Sequence, residues 1–202
     1  QNLLGSLLSI ATKPAFVSIR WRSAEPIQTT RATRLGSRQR SCYHHKVIDV
    51  YAEFVAVVRA LDEANIDYAL CGALALAVHG APRATKDIDL IARKEDRERI
   101  VKVAKATGFV FEALPMVFAG SGIEVQRYTK LIDGRPLMLD VLWLTPALQT
   151  VWDQRERLTW QEGTLSVVSR DGLITLKLTA GRAQDLVDIQ SLTAAETNRE
   201  KP

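Results

Sequence analysis

Cysteine is scarce: Cys42 and Cys71 are the only two in 202 residues. Two thiols cannot build a disulfide framework or a cysteine-rich zinc site, so the fold must be held by its own core. Histidine is limited to His44, His45 and His79. The first two are adjacent, and adjacent side chains diverge on a helix or strand, which argues against a shared metal. No apolar run approaches the roughly 20 residues that span a bilayer; "LLGSLLSIA" near the start is too short. Repeats and low-complexity blocks are also missing. A chain of this length with 47% hydrophobic residues can still bury a sizeable core as one domain or two small ones. The expectation is a cytoplasmic protein with free thiols and no membrane segment.

A basic surplus is missing from most of the chain as well. The net charge of +4 is concentrated in residues 1–45, where Lys13 and six arginines face the single acid Glu25. Of the 27 basic and 23 acidic residues, 20 and 22 remain after residue 45. The isoelectric point therefore gives no reason to expect nucleic-acid binding by the folded part. Residues 1–45 are rich in Ser, Thr and Arg and lack sustained periodicity. They read as a disordered basic tail, with a targeting segment or an upstream extension as alternatives.

Folded sequence is expected to begin near Lys46. Apolar residues at 47, 50, 51, 54, 55, 58 and 61 make a helical stripe. "DYALCG" reads as a buried strand running straight into a small-residue helix, "ALALAVHG", which Gly80 and Pro82 end. "DIDLIA" is the next strand, and a charged helix follows with a stop at Gly108. "GIEVQRYTKLI" and "RPLMLDVLWL" flank Asp133-Gly134, a hairpin signal. Thr145 and Pro146 suit a helix start, "LTWQEGTLSVVS" a short β excursion, and two helices close the chain. His79, beside Gly80, reads as a structural helix-end cap. The order predicts an α/β (α+β) fold: a small mixed β-sheet flanked by helices. The expected organisation is a core over 46–145, a mostly helical C-terminal part over 146–196 packed on it, and a flexible end at 197–202.

The chemistry sits on three acids. Asp87 and Asp89 are one residue apart in an apolar strand, so their carboxylates share a face and repel. Either a cation lies between them or one is protonated. Asp140 is a third acid in an apolar strand, where an unpaired charge is very unfavourable. Gly72 stands at a strand-to-helix turn, where a backbone can approach a ligand and free N–H groups favour phosphate. Three carboxylates facing such a turn suit Mg²⁺, which takes oxygen ligands and shares them with substrate phosphates. A structural alternative exists at each position. Arg83, Lys86 or a helix start could hold Asp87 and Asp89, and backbone donors could cap Asp140. Lys177 could snorkel to water. Arg83, Thr85 and Lys86 could contact substrate or secure their loop. Arg182, Asp185 and Asp188 read as a capping and ion-pair network rather than as catalytic groups.

The blocks "GALALAVHGAPRATKDIDL", "LMLDVLWL" and "LITLKLTAGRAQDLVDI", in this order, resemble the DNA polymerase β-type nucleotidyltransferase superfamily. The nearer likeness is to AbiEii/AbiGii-type toxins and related minimal nucleotidyltransferases. The resemblance covers residues 65–192. It implies a two-metal, Mg²⁺-dependent transfer of a nucleoside monophosphate from an NTP to a hydroxyl of RNA (such as a tRNA end), protein or a small molecule. Asp87, Asp89 and Asp140 would be the catalytic metal ligands. Gly72 and Ala73 would shape the phosphate turn, and Lys177 would neutralise the triphosphate; Arg83, Thr85 and Lys86 are candidate nucleotide contacts by their place in the loop before the Asp87–Asp89 strand. Ala73 stands where the family usually has Gly or Ser, leaving only backbone donors there. A cognate antitoxin or another partner protein is implied for toxin-type members. The alternative is a catalytically inactive nucleotide-binding or protein-partner module with the same fold.

Overall fold

The computed structural model describes residues 48–118 and 121–199; the expected basic tail lies outside them. Helix α1, Val50–Glu63, buries Phe54, Val57, Val58 and Leu61 along one stripe. Its start is fixed by Asp49, whose carboxylate accepts a 3.0 Å hydrogen bond from the Ala52 N–H. Strand β1, Tyr68–Cys71, passes without a linker into α2, Gly72–Val78. Strand β2, Asp87–Ala92, precedes a 3-10 turn and α3, Arg97–Ala106. Four strands follow: β3, Phe111–Glu112, β4, Met116–Phe118, β5, Ile123–Ile132, and β6, Arg135–Trp143. The chain then forms α4, Gln149–Asp153, the hairpin of β7, Glu156–Trp160, with β8, Gly163–Val167, and helices α5, Arg170–Ala180, and α6, Ala183–Arg199.

The strands form one eight-stranded sheet in the order β3-β5-β6-β2-β1-β8-β7, with β4 also paired to β5. Strands β2 and β6 run parallel, as do β1 and β8; the other pairs are antiparallel. This is the expected mixed sheet with helices. Two features differ from the sequence reading. Strands β3 and β4 span two and three residues and are exposed, too short for an alternating pattern to show. The β7–β8 hairpin joins the same sheet beyond β1, so the segment after residue 145 completes the sheet as well as adding helices. Among the described residues no helix is long and apolar enough to cross a membrane.

Alternation along β2 and β6 sorts the sheet's faces. Leu90, Ala92, Leu139 and Val141 meet Val57 and Leu61 of α1 and Ile100 and Val103 of α3. Asp87, Asp89 and Asp140 are therefore turned to the opposite face, which α2 and α5 approach. The acids sit in apolar strands because those strands are buried on one side and line a cleft on the other.

Candidate active site

The register places four functional side chains in one row across the sheet. Cys71 of β1 pairs with Asp89 of β2, Asp89 with Asp140 of β6, and Asp140 with Arg127 of β5. Cross-strand partners share a face, so this row runs thiol, carboxylate, carboxylate, guanidinium. Asp87 lies two residues before Asp89 on the same face and is paired in register with Met138. The row lines a cleft of about 510 Å³ walled on the far side by α5.

Gly72 sits against this row. It has φ +62°, and a Cβ there would lie 1.9 Å from Asp89 Oδ2. Left-handed backbone is costly for residues with a side chain, and here the side chain would also occupy the carboxylate's place. Glycine is required at the turn for both reasons. Ala73 follows in the first turn of α2 and is buried.

The three carboxylates are not equivalent. Arg127 grips Asp140 with both arms: Nε donates to Oδ1 at 2.8 Å and Nη2 to Oδ2 at 2.6 Å. That charge-assisted pair raises the affinity of Arg127 for its proton, chiefly through the hydrogen bond to Asp140. Asp87 and Asp89 have no such partner. Asp87 Oδ1 is buried without a hydrogen bond, and no donor among the described residues reaches the Asp89 carboxylate. Burial, then the charges of Asp140 and Asp87, push the Asp89 carboxyl up to about 7, although the residue keeps some solvent contact. Burial and Asp140 also raise Asp87, with Arg127, Arg83 and Arg182 pulling it partly back. Burial, with Asp89 and Asp140 next, holds the Cys71 thiol well above its ordinary range, so it is an inert neutral neighbour.

A metal suits this arrangement. Asp87 and Asp89 offer carboxylate oxygens that pair with no cation among the described residues. Among the described residues no three His, Cys, Asp or Glu side chains form a complete ligand set, and the third carboxylate is held by Arg127. Magnesium does not need a complete protein cage, since one or two carboxylates and substrate phosphates suffice.

A second charged cluster adjoins the cleft. Lys177, with a side chain 6% exposed, donates to Asp185 at 3.3 Å and to Asp188. Arg182 bonds Asp185 through Nε at 2.8 Å and through its backbone N–H at 3.1 Å. Arg83 bonds Asp188 at 2.9 Å, tying the loop before β2 to α6. Burial raises the carboxyls of Asp185 and Asp188, but the hydrogen bonds from Arg182 and Lys177, respectively, outweigh it and leave both below the usual range.

Of the expected nucleotide contacts, Gly72 and Lys177 line the cleft, as do Arg182 and Asp185. Arg83, Thr85 and Lys86 do not. The Thr85 hydroxyl accepts from the Asp87 N–H at 3.1 Å and so steadies the start of β2, and Lys86 is exposed. His79 is the C-cap residue of α2, and its ring donates from Nε2 to the Val168 carbonyl at 2.8 Å. Arg127 is the residue that sequence reasoning missed. A signal for it existed: Asp133 and Gly134 both have positive φ, as a two-residue hairpin turn demands. That turn fixes the register that sets Arg127 opposite Asp140.

The fold is that of a nucleotidyltransferase core. Residues 53–139 match the family model of aminoglycoside-2''-adenylyltransferases. That is less than half of the chain; it includes Gly72, Asp87 and Asp89 and stops one residue before Asp140. The crystal structure of ANT(2'')-Ia in complex with adenylyl-2''-tobramycin is similar over 73% of this chain and 90% of its own, at 14% identity and a TM-score of 0.52. A candidate nucleotidyltransferase from Thermotoga maritima aligns over 79% of this chain and 99% of its own, at 17% identity and a TM-score of 0.49. No curated protein matches. By the family match over residues 53–139 and the fold shared with ANT(2'')-Ia, the chain is similar to nucleotidyltransferases.

Proposed function

We propose that the protein is a nucleotidyltransferase that moves a nucleoside monophosphate from an NTP to a hydroxyl of a small molecule. The observation that carries this reading is the pair Asp89 and Asp140 lining one cleft, with Asp87 two residues from Asp89 on the same face. There Asp87 and Asp89 pair with no cation among the described residues. The family match supports a small-molecule acceptor over RNA or protein, and it lends no support to an AbiEii-type toxin role with an antitoxin partner.

Asp87 and Asp89 would hold a divalent cation, Mg²⁺ by their hard oxygen donors, with Asp140 as the third carboxylate. When bound, that ion supplies positive charge against the phosphates and the charge that develops on transfer. The chain's own residues do the rest. The cleft between the sheet and α5 holds donor and acceptor together. Gly72 and Ala73 would present backbone N–H groups to phosphate, and Lys177 and Arg182 supply positive charge from the α5–α6 side. The acceptor oxygen bonds to the α-phosphorus, the bond to pyrophosphate breaks, and the hydroxyl proton passes to an Asp140 carboxylate oxygen. For that, Arg127 must loosen at least one of its two bonds, because they engage both oxygens of the Asp140 carboxylate.

The test is transfer of label from α-³²P NTPs, with and without Mg²⁺, to a mixed panel of hydroxyl compounds. Metal-dependent labelling that Asp87→Asn abolishes supports the proposal. Labelling that survives this change, or that goes to tRNA or protein alone, contradicts it.

A further inference from the structure

The floor of the cleft changes character one pleat step from the carboxylates. On the face that carries Arg127 and Asp140, the next pair is Val125 with Leu142. Met116 of β4 pairs with Val125, and Phe118 with Ile123. All five apolar residues line the cleft, with Leu173 of α5 on the other side. Two residues along a strand is about 7 Å, so a molecule lying on this floor can reach Asp140 with a hydroxyl. Val125 and Ile123 are 3% and 7% exposed, whereas Met116 and Phe118 are 37% and 50% exposed at the rim. The apolar surface thus continues from the interior to solvent.

Two of the three carboxylates around this floor are already paired with cations. The carboxylates that line the cleft are Asp89, Asp140 and Asp185. Asp140 is gripped by Arg127, and Asp185 by Arg182 and Lys177. Asp89 belongs with Asp87 to the metal position. Among the described residues no lining carboxylate remains to receive an ammonium group, and Arg127, beside Asp140 and one pleat step along β5 from Val125, repels one. A polyamine-bearing sugar needs several such acceptors.

Resting on the nucleotidyl-transfer reading, we infer that the acceptor is an uncharged hydroxyl compound with an apolar body, seated on the Val125–Leu142 floor with its hydroxyl toward Asp140. The protein then differs in acceptor class from the aminoglycoside family whose model it matches.

The experiment is calorimetric titration of the full chain, saturated with Mg²⁺ and α,β-methylene-ATP, with two probes: 4-nitrophenyl β-D-glucoside and tobramycin. The expected result is binding of the glucoside and none of tobramycin at physiological salt. Placing a charge at the floor's rim by Met116→Glu, or a polar group by Phe118→Gln, weakens glucoside binding about tenfold, the effect of losing some 50 Å² of apolar contact. Both positions are at the rim, so both variants are expected to fold. Tighter binding of tobramycin than of glucoside overturns the inference, as does absence of glucoside binding or its indifference to both substitutions. The nucleotide analogue is titrated first. If it fails to bind, the transferase reading fails and takes the inference with it; tobramycin preference with the analogue bound sinks the inference alone.

Discussion

Replacing Asp89 by Asn should stabilise the protein, and only above acidic pH. In the folded chain the Asp89 carboxyl is pushed up to about 7 by burial and by the neighbouring Asp140 and Asp87, against about 3.9 when unfolded. The folded protein therefore holds this proton more tightly than the unfolded chain does. The stability so gained is fully present below about pH 4 and is lost as pH rises through about 7. Three pK units correspond to about 4 kcal/mol. Because Asp89 keeps some solvent contact, about half of that, ~2 kcal/mol, is the reasonable expectation. Asn is isosteric and uncharged, so Asp89→Asn should match the wild type at pH 4 and exceed it by about 2 kcal/mol at pH 8. Urea denaturation midpoints at pH 4, 6, 7 and 8 measure this directly, provided no divalent cation is present. A variant that is equally stable or less stable than wild type at pH 8 refutes the claim that Asp89 is an uncompensated carboxylate. Addition of Mg²⁺ at pH 8 should raise wild-type stability and leave the variant unchanged.

The remaining predictions concern the groups around that pair. Arg127→Gln strands Asp140 without its partner and should cost about 1–3 kcal/mol in denaturation without metal; the same change should tighten divalent-ion binding, since a cation leaves the site. Gly72→Ala should cost about 1–3 kcal/mol for its positive φ alone. It should also displace Asp89, visible as loss of metal binding beyond the loss of stability. Lys177→Met leaves Asp185 and Asp188 buried with less compensation and should cost about 3–5 kcal/mol; a thermal midpoint within a degree or two of wild type would count against the cluster's structural role.

Much of the site's local placement was legible. Asp87 and Asp89 share a face because side chains alternate, and their apolar neighbours announce a strand buried on one side. Asp140 carries the same signature. Which strands adjoin was not legible, because β2 pairs with β6 across about 50 intervening residues and no local pattern encodes a parallel, non-local pairing. Arg127 could have been found from the Asp133-Gly134 turn, whose geometry fixes the register of the hairpin. The meeting of Lys177 with Asp185 and Asp188 depends on how α5 and α6 cross after Gly181, and helix periodicity does not specify that crossing. Arg83 reaches Asp188 from more than 100 residues away, which no sequence spacing foretells. Strands β3 and β4 escaped because their few residues are held by pairing with β5 and not by any pattern of their own.

Asp87 and Asp89 are proposed to form together a divalent-cation site that works with a nucleotide. The most direct measurement is Mn²⁺ binding by electron paramagnetic resonance, with α,β-methylene-ATP present, for the wild type and for Asp87→Asn/Asp89→Asn. Tight, nucleotide-dependent Mn²⁺ binding is expected, weakened in the double variant by more than about a hundredfold, beyond what loss of a merely supporting residue costs. Equal Mn²⁺ affinity in the two proteins, with both folded, would contradict the proposal.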